Sequence, residues 1–430
     1  MSCGAHDFAV TPVAITCAQC GHVLPVEEGV LHAASGDEDP AIARERQAML
    51  DLESSGAPIG PTDFSMTQLM AGPCPLRTAF LSLPYDDGSD FFRANEYFRN
   101  VGQFAATFDA VVNRLGLPQG SRVLDVGADL TWSTSRLARR GWRAVAIDIN
   151  HHLVASRVFR EQGIDFAAVN ADMHAPVFGD GVFDGVTAVN ALHHTHRLHP
   201  LVANLARVLR PGGRLGFIEP YWFHEHNRAG FGESQIEAGI NENVYRLEEW
   251  HQAFVNHGLE PVGFIAAPSF HGVYEKRASS APLRTLTIDQ ARDDLFSRFY
   301  QVAFTASSQV AGPLAPGAVL EIPVTVHNRS QAGWCVDSQI PVFLSYHLRA
   351  VTRGADGAET GTTMVAFDNE RTMLPGHLHP GSDTLVQLQV TAPTEPGDYL
   401  LEVDLVHEGI TWFADRGART ARVALRVDLV

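Results

Sequence analysis

The chain has 430 residues, a formal net charge of −17 and 45% apolar residues, with Lys276 its only lysine. That length outgrows one hydrophobic core, so two or three domains are expected, and the negative balance disfavours nucleic acid and anionic membrane as partners. No uncharged apolar run reaches the ~18 residues of a membrane span, and the start Met-Ser-Cys-Gly-Ala-His-Asp lacks signal-peptide character, so a soluble cytoplasmic protein is expected.

Cysteine usage fits a reducing compartment. Cys3, Cys17 and Cys20 fall at the start, and with His6 they form Cys-x2-His followed by Cys-x2-Cys. Two such knuckles facing each other would make a closed tetrahedral site, so the expected metal is a structural zinc on Cys3, His6, Cys17 and Cys20. The run Cys20-Gly-His-Val-Leu-Pro-Val-Glu-Glu-Gly-Val30 resembles the second half of small zinc ribbons. The alternative is that only Cys17 and Cys20 persist of a ribbon that no longer holds metal. Cys74 and Cys335 read as isolated thiols.

Ala41 to Ser54 has helical character with alternating charges, followed by loop chemistry through Pro61. Asp90 to Leu115 reads as one long helix, and its phenylalanines (Phe91, Phe92, Phe98, Phe104, Phe108) as core.

Next, Val123-Leu-Asp-Val-Gly-Ala-Asp129 reads as a buried strand and a tight glycine turn, followed by a helix over Ser133 to Arg140. Arg143 to Asp148 is a second strand ending in an acid able to accept hydrogen bonds from two ribose hydroxyls. A dinucleotide fingerprint would need glycines where Asp129 and Thr131 stand, so a nicotinamide cofactor is disfavoured. Phe166 to Asn170, Phe183 to Val189 and Leu215 to Glu219 are further strands. A helix from Leu198 to Leu209 precedes Pro211-Gly-Gly. Strands alternating with helices argue for a doubly wound, Rossmann-like, mostly parallel α/β sheet, with ligands beyond the carboxyl ends of its strands. Those ends carry Asp125, Asp148, Asp172, Asn190 and Glu219.

From Phe92 to Ala278 the chain resembles the S-adenosylmethionine-dependent methyltransferases of Rossmann-like fold. The resemblance rests on Val-Leu-Asp-Val-Gly-Ala-Asp, Val-Ala-Ile-Asp, Asn-Ala-Asp-Met, Phe-Asp-Gly-Val, Ala-Leu-His-His and Leu-Arg-Pro-Gly-Gly, in the family's order and spacing. It implies that Asp125, Gly127, Ala128 and Asp129 hold the methionine part of the cofactor. Asp148, with Ile149 beside it, would take the ribose. Asp172 would bind the adenine amino group with Met173 against the ring, and Asn190 to His194 would line the reacting end. The family commonly has glycines at Asp129 and Thr131. Relatives with a similar Gly-Ala-Asp turn followed by Trp-Ser-Thr, as at Trp132 to Thr134, favour a variant loop over a dead one. Small zinc ribbons also precede some of these enzymes.

The segment from Tyr221-Trp-Phe-His-Glu-His226 through Ser234 to Tyr245 packs aromatic and ionisable residues over the strand ends, as a lid for a polar substrate would. Leu247 to His257 reads as a helix, and Val262 to Ala266 with Gly272 to Glu275 as a closing antiparallel pair. The histidines His193, His194, His196, His199, His224 and His226 invite a metal, but His-His after the fourth strand is common in this family without one. A general base is the preferred role, taken by His193 or His194 with Glu219 as the alternative.

Beyond Phe304 short alternating segments separated by Pro, Gly, Asn and Asp suggest an all-β, immunoglobulin-like sandwich. Motifs around Trp334, Tyr346 and Trp412-Phe413 resemble the polysaccharide-binding end of O-antigen exporter ATPase subunits, which implies that these aromatics could stack on sugars; the alternative, favoured for any single ring, is that they fill the sandwich core. The expected organisation is 1–32 ribbon, 33–85 linker with helix, 86–282 methyltransferase, 283–303 connecting helix and 304–430 sandwich. The expected reaction is O-methylation of a glycan or glycan precursor. Alternatives are a small secondary metabolite as acceptor, with the sandwich as a homo-oligomer or partner docking module, and a non-catalytic scaffold.

Overall fold

The computed structural model describes residues 7–33, 39–55, 66–220, 233–266, 269–278, 280, 282–336 and 341–429. The chain divides into two compact units, Met1–Val262 with Phe270–Thr287, and Gly263–Ser269 with Ile288–Val430. Cys3, His6 and the run Tyr221 to His226 lie outside the described residues. Among the described residues no helix is long and apolar enough to cross a membrane.

The first unit opens with an antiparallel ribbon of β1 (Phe8–Thr11), β2 (Ala14–Cys17), β3 (Val23–Glu27) and β4 (Val30–His32). Helices α1 (Pro40–Ser55), α2 (Met66–Met70), α3 (Pro75–Ser82), α4 (Asp90–Ala94), α5 (Glu96–Gly102) and α6 (Ala105–Leu115) follow. The single helix expected over Asp90 to Leu115 is therefore three. Asn95 ends α4 in extended backbone and turns its Oδ1 to accept from the Phe98 nitrogen at 3.1 Å, capping α5. The break brings Phe92, Phe98 and Phe108 into one core, all under 5% exposed.

The central elements then run β5 (Arg122–Val126), α7 (Trp132–Arg139), β6 (Arg143–Asp148), α8 (Ser156–Arg160), β7 (Ala167–Asn170), β8 (Phe183–Val189), α9 (Leu198–Val208) and β9 (Leu209–Glu219). After α10 (Glu233–Ala238) and α11 (Leu247–Asn256), β10 (Leu259–Ala266) and β11 (Phe270–Lys276) close the order. The sheet reads β4-β7-β6-β5-β8-β9-β11-β10, parallel from β4 to β9, with β11 antiparallel to β9.

Its strands are near-continuous apolar runs because helices cover both faces. On one side α6 lies so close that a Cβ on Gly216 would meet Val111 Cγ1 at 2.8 Å. On the other, Phe217 packs with Phe254 and Tyr274 at centroid distances of 4.9 and 5.8 Å. The ribbon joins this sheet directly, since Val30, Leu31 and His32 pair in register with Ala168, Val169 and Asn170.

The second unit is β-rich. Helix α12 (Ile288–Phe299) precedes β12 (Val302–Ala306), β13 (Gln309–Leu314), β14 (Val319–Asn328), β15 (Ala332–Gly333), β16 (Val342–Arg353), β17 (Glu359–Ala366), β18 (Thr372–Met373), β19 (Asp383–Thr391), β20 (Gly397–His407), β21 (Thr411–Trp412) and β22 (Ala421–Val427). One sheet runs β12-β14-β19 and another β13-β22-β20-β16-β17. Alternation buries Ile322, Val324 and Val326 of β14 with Val386, Leu388 and Val390 of β19. Tyr346 on β16 links the sheets, donating to Glu370 Oε2 at 2.7 Å and accepting from the Thr391 nitrogen at 3.4 Å.

The aromatics weighed between sugar stacking and core filling lie in this interior. Trp334 and Phe413 are fully buried, Tyr346 is 1% exposed and Trp412 8%. Trp334 meets Phe413 edge-on at 5.1 Å and donates its indole N–H to the Phe299 carbonyl at 3.1 Å. Their apolar surface is worth more against each other than against water.

Candidate active site at the carboxyl ends of the strands

The turn after β5 is built around Asp125, 1% exposed. Its Oδ2 accepts from Ser133 Oγ and Thr134 Oγ1, both at 2.6 Å, and its Oδ1 from Thr187 Oγ1 at 2.8 Å. Burial pushes this carboxyl up, opposed by the three hydroxyls. Asp125 thus ties β5 to α7 and β8 through its side chain.

Gly127 has φ +65°, and a Cβ there would lie 2.2 Å from Ala191 Cβ. No other residue fits. Asp129 and Thr131, at the family's glycine positions, also have positive φ, +40° and +61°. Left-handed backbone thus persists without glycine. Asp129 compensates through its side chain: Oδ1 accepts from Asn150 Nδ2 at 3.0 Å and lies 2.6 Å from His152 Nδ1, with the Tyr97 hydroxyl 3.4 Å from Oδ2. Burial favours its neutral form, but His152 and Asn150 outweigh this and hold the carboxyl below its usual value.

Asp148 ends β6 and accepts from the backbone nitrogens of Asp129 at 2.8 Å and Asn150 at 3.0 Å, one on each oxygen. Each oxygen keeps a lone pair for a further donor. Burial, and then the neighbouring Asp129 charge, raise this group to about 6. Ile149, beside it, accepts from Arg46 Nε at 3.1 Å through its carbonyl.

Past β7, Asp172 binds His174 Nδ1 at 2.7 Å, and His174 Nε2 lies 2.6 Å from Thr195 Oγ1. Burial raises the Asp172 carboxyl, and the His174 hydrogen bonds more than reverse this. Met173 is half-buried and its carbonyl accepts from Asn204 Nδ2 at 2.8 Å.

The end of β8 holds a buried polar cluster. Asn190 has φ +53°. Glu219, at the end of β9, accepts from the backbone nitrogens of Ala191 and Leu192 at 3.1 and 2.9 Å, and its Oε2 lies 2.8 Å from His193 Nδ1. On the other side of the ring, His193 Nε2 is 3.1 Å from Glu242 Oε2. Burial disfavours the charged ring, yet the two carboxylates prevail and raise His193 to about 9. With 1% of its side chain exposed and its two ring nitrogens turned to Glu219 and Glu242, His193 presents no open ring edge to an acceptor. Glu219, 1% exposed, is likewise consumed in holding the loop. A base role for His193 or Glu219 would require these contacts to be given up.

His194 differs. Its side chain is 23% exposed, its Nδ1 is 2.8 Å from Glu45 Oε1, and its Nε2 is 3.9 Å from Glu242 Oε1. Glu45, on α1 and 2% exposed, also accepts from Asn241 Nδ2 at 2.7 Å. His196 and His199 turn elsewhere, toward Asp39 at 3.5 Å and His257 at 3.3 Å.

Cys17 is buried and Cys20 exposed on a turn where the Gly21 nitrogen donates to the Cys17 carbonyl at 2.9 Å and the Cys17 nitrogen to the His22 carbonyl at 2.8 Å.

Glu45, Glu242, Asn241, His152 and His174 were not singled out from sequence. Glu45 was legible only as one charge of an alternating helix, and Glu242 as one polar residue of the run over the strand ends.

Residues 124–217 match the methyltransferase domain family. A demethylmenaquinone methyltransferase of Tropheryma whipplei is 36% identical over 113 residues, covering 26% of this chain and 46% of that protein. A sterol 24-C-methyltransferase of Aspergillus fumigatus is 27% identical over 164 residues, covering 35% and 42% respectively. The chain spans about half the length of the curated relatives it matches. A solved geranyl diphosphate C-methyltransferase from Streptomyces coelicolor A3(2) is 17% identical with a TM-score of 0.41, covering 56% of this chain and 100% of that one. The chain therefore carries a methyltransferase domain.

Proposed function

We propose that the first unit transfers a methyl group from S-adenosylmethionine to a small-molecule acceptor. The observation that carries this is the pairing of two strand ends: the left-handed Gly127–Thr131 turn presents the Asp129 nitrogen to Asp148, inside a matched methyltransferase domain. The residues fit the donor. Asp148 keeps lone pairs for two ribose hydroxyls, Gly127 and Ala128 allow close approach, and Asp129 supplies a negative charge for the ammonium of the methionine part. Asp172 and Met173 take the adenine edge and face, with Ile149 and Asn190 beside them. Bound there, the donor would supply an electrophilic sulfonium methyl: the attacking atom bonds to the methyl carbon as its bond to sulfur breaks, and the neutral thioether is the leaving group.

Of the three anticipated bases His194 alone has a partly exposed side chain, with Glu45 orienting its Nδ1. Glu219 and His193 position the loop that carries it. We read the acceptor as a phenol- or quinol-like molecule methylated at carbon, because loss of its hydroxyl proton to His194 makes the ring carbon nucleophilic. The likeness to a sterol 24-C-methyltransferase supports carbon rather than oxygen as the receiving atom. A glycan acceptor ranks second, since the four aromatics meant to bind sugar are buried. In this reading the second unit is an immunoglobulin-like sandwich that docks a partner or another copy, and Cys17 with Cys20 is half of a structural zinc ribbon.

Incubating the full chain with methyl-labelled S-adenosylmethionine and separate quinol, sterol and glycan acceptors tests this. Label on the quinol with release of S-adenosylhomocysteine is expected. Label on glycan alone would overturn the acceptor, and no transfer to any acceptor would count against the activity.

A further inference from the structure

The cluster at the end of β8 has the construction of a metal centre, and methyl transfer as proposed does not require one. His193 and His194 each present Nδ1 to a buried carboxylate at 2.8 Å, Glu219 and Glu45 respectively. That leaves both Nε2 atoms directed at one further carboxylate, Glu242, at 3.1 and 3.9 Å. The three donors lie within 4.8 Å of one another. Two ligands held at ~2.1 Å from a tetrahedral cation sit about 3.4 Å apart, so the His193–Glu242 pair needs little adjustment, and the His194 ring has the exposure to swing inward.

Charge points the same way. Glu45, Glu219 and Glu242 have side chains 2%, 0% and 5% exposed, and among the described residues their only ion-pair partners are these two imidazoles. In the neutral form that a metal ligand must take, the two imidazoles would leave these three buried carboxylates without a positive partner, and a bound cation would supply one. Carboxylate–histidine pairing fixes which ring nitrogen faces a metal and raises its basicity, and two histidines with one carboxylate suit a divalent transition ion.

We propose that His193 Nε2, His194 Nε2 and the Glu242 carboxylate bind one divalent transition-metal ion, with Glu219 and Glu45 orienting the two histidines. Three protein ligands leave coordination positions open toward the acceptor. A cation there takes the His194 lone pair, so the acceptor oxygen would meet the metal in place of a free imidazole. The segment around Glu242 is seated for this, as the Asn243 nitrogen donates to the His193 carbonyl at 3.0 Å.

The test is a cobalt(II) titration of the chelator-stripped full chain carrying Cys17→Ser and Cys20→Ser, followed by calorimetry and visible absorption without methyl donor. One equivalent should bind, without thiolate charge-transfer absorption. Glu242→Gln and His194→Ala should each weaken binding at least about tenfold, and Glu45→Gln by about 10–100-fold. No saturable binding in this background would overturn the proposal, and so would binding unchanged by both Glu242→Gln and His194→Ala. Cobalt bound only when Cys17 and Cys20 are present would move the ion to the ribbon and equally overturn it. Because no donor is present, failure here leaves the methyl-transfer reading standing, and failure to bind donor leaves the metal site standing.

Discussion

Asp148 is raised to about 6 by burial and by the charge on Asp129, against about 3.9 for an unperturbed aspartate. A carboxyl raised on folding contributes stability below its unfolded value, and that contribution is lost as pH rises through the folded value. Donor binding runs the opposite way, because ribose hydroxyls are best accepted by the ionised form. Affinity for S-adenosylhomocysteine should therefore climb as pH rises through about 6 and then level off, as read by calorimetry at a series of pH values. Asp129→Asn removes the neighbouring charge and should move that midpoint downward. A midpoint that stays put in Asp129→Asn would show that the two carboxylates are not coupled. At Gly127, alanine would combine a left-handed φ, worth ~1–2 kcal/mol, with a 2.2 Å approach to Ala191. Gly127→Ala should lower the melting temperature and abolish donor binding together; a fully active, equally stable variant would contradict the geometry.

At the level of elements, Asp125 and the N-terminal ribbon do work that the sequence conceals. Asp125→Ala would orphan the Ser133 and Thr134 hydroxyls, at ~1–3 kcal/mol for each group left buried and unsatisfied, and leave the Thr187 hydroxyl only its 3.4 Å bond to the Leu124 carbonyl. Denaturant unfolding should show a loss of several kcal/mol, and an effect below ~1 kcal/mol would deny Asp125 its tying role. Removing residues 7–33 strips β4 from β7 and exposes a parallel edge, so the truncated chain should aggregate on heating where the full chain does not. Strands β5 to β9 were readable because each is a short apolar run ending in a polar residue at the ligand face. The ribbon's junction was not, since Val30 meets Ala168 by parallel pairing across more than a hundred residues and no local pattern encodes it. The break at Asn95 was written in a capping residue that the apolar periodicity of the phenylalanines overrode. At the site, the strand-end acids were legible in place, but Glu45 and Glu242 reach His194 only through tertiary packing. The neighbours that engage both nitrogens of His193 were hidden for the same reason.

Taken as a molecule, the chain couples a methyltransferase domain to a β-rich unit with its own core. The aromatic motifs of that unit are more informative about folding than about ligands. Trp334→Ala should cost ~3–5 kcal/mol and melt this unit, with no selective effect on carbohydrate binding. Retained folding with selective loss of a bound sugar would restore the stacking role. Glu45, Glu219 and Glu242 bring three buried carboxylates together in the first unit, where the proposed cation would sit.

Calorimetric titration of the full chain with S-adenosylmethionine and S-adenosylhomocysteine, with Asp148→Asn alongside, bears most directly on whether the turn after β5 is a working cofactor site. Saturable one-to-one binding that weakens at least tenfold in Asp148→Asn is predicted. A folded chain that binds neither compound, or a variant that binds both unchanged, would contradict it.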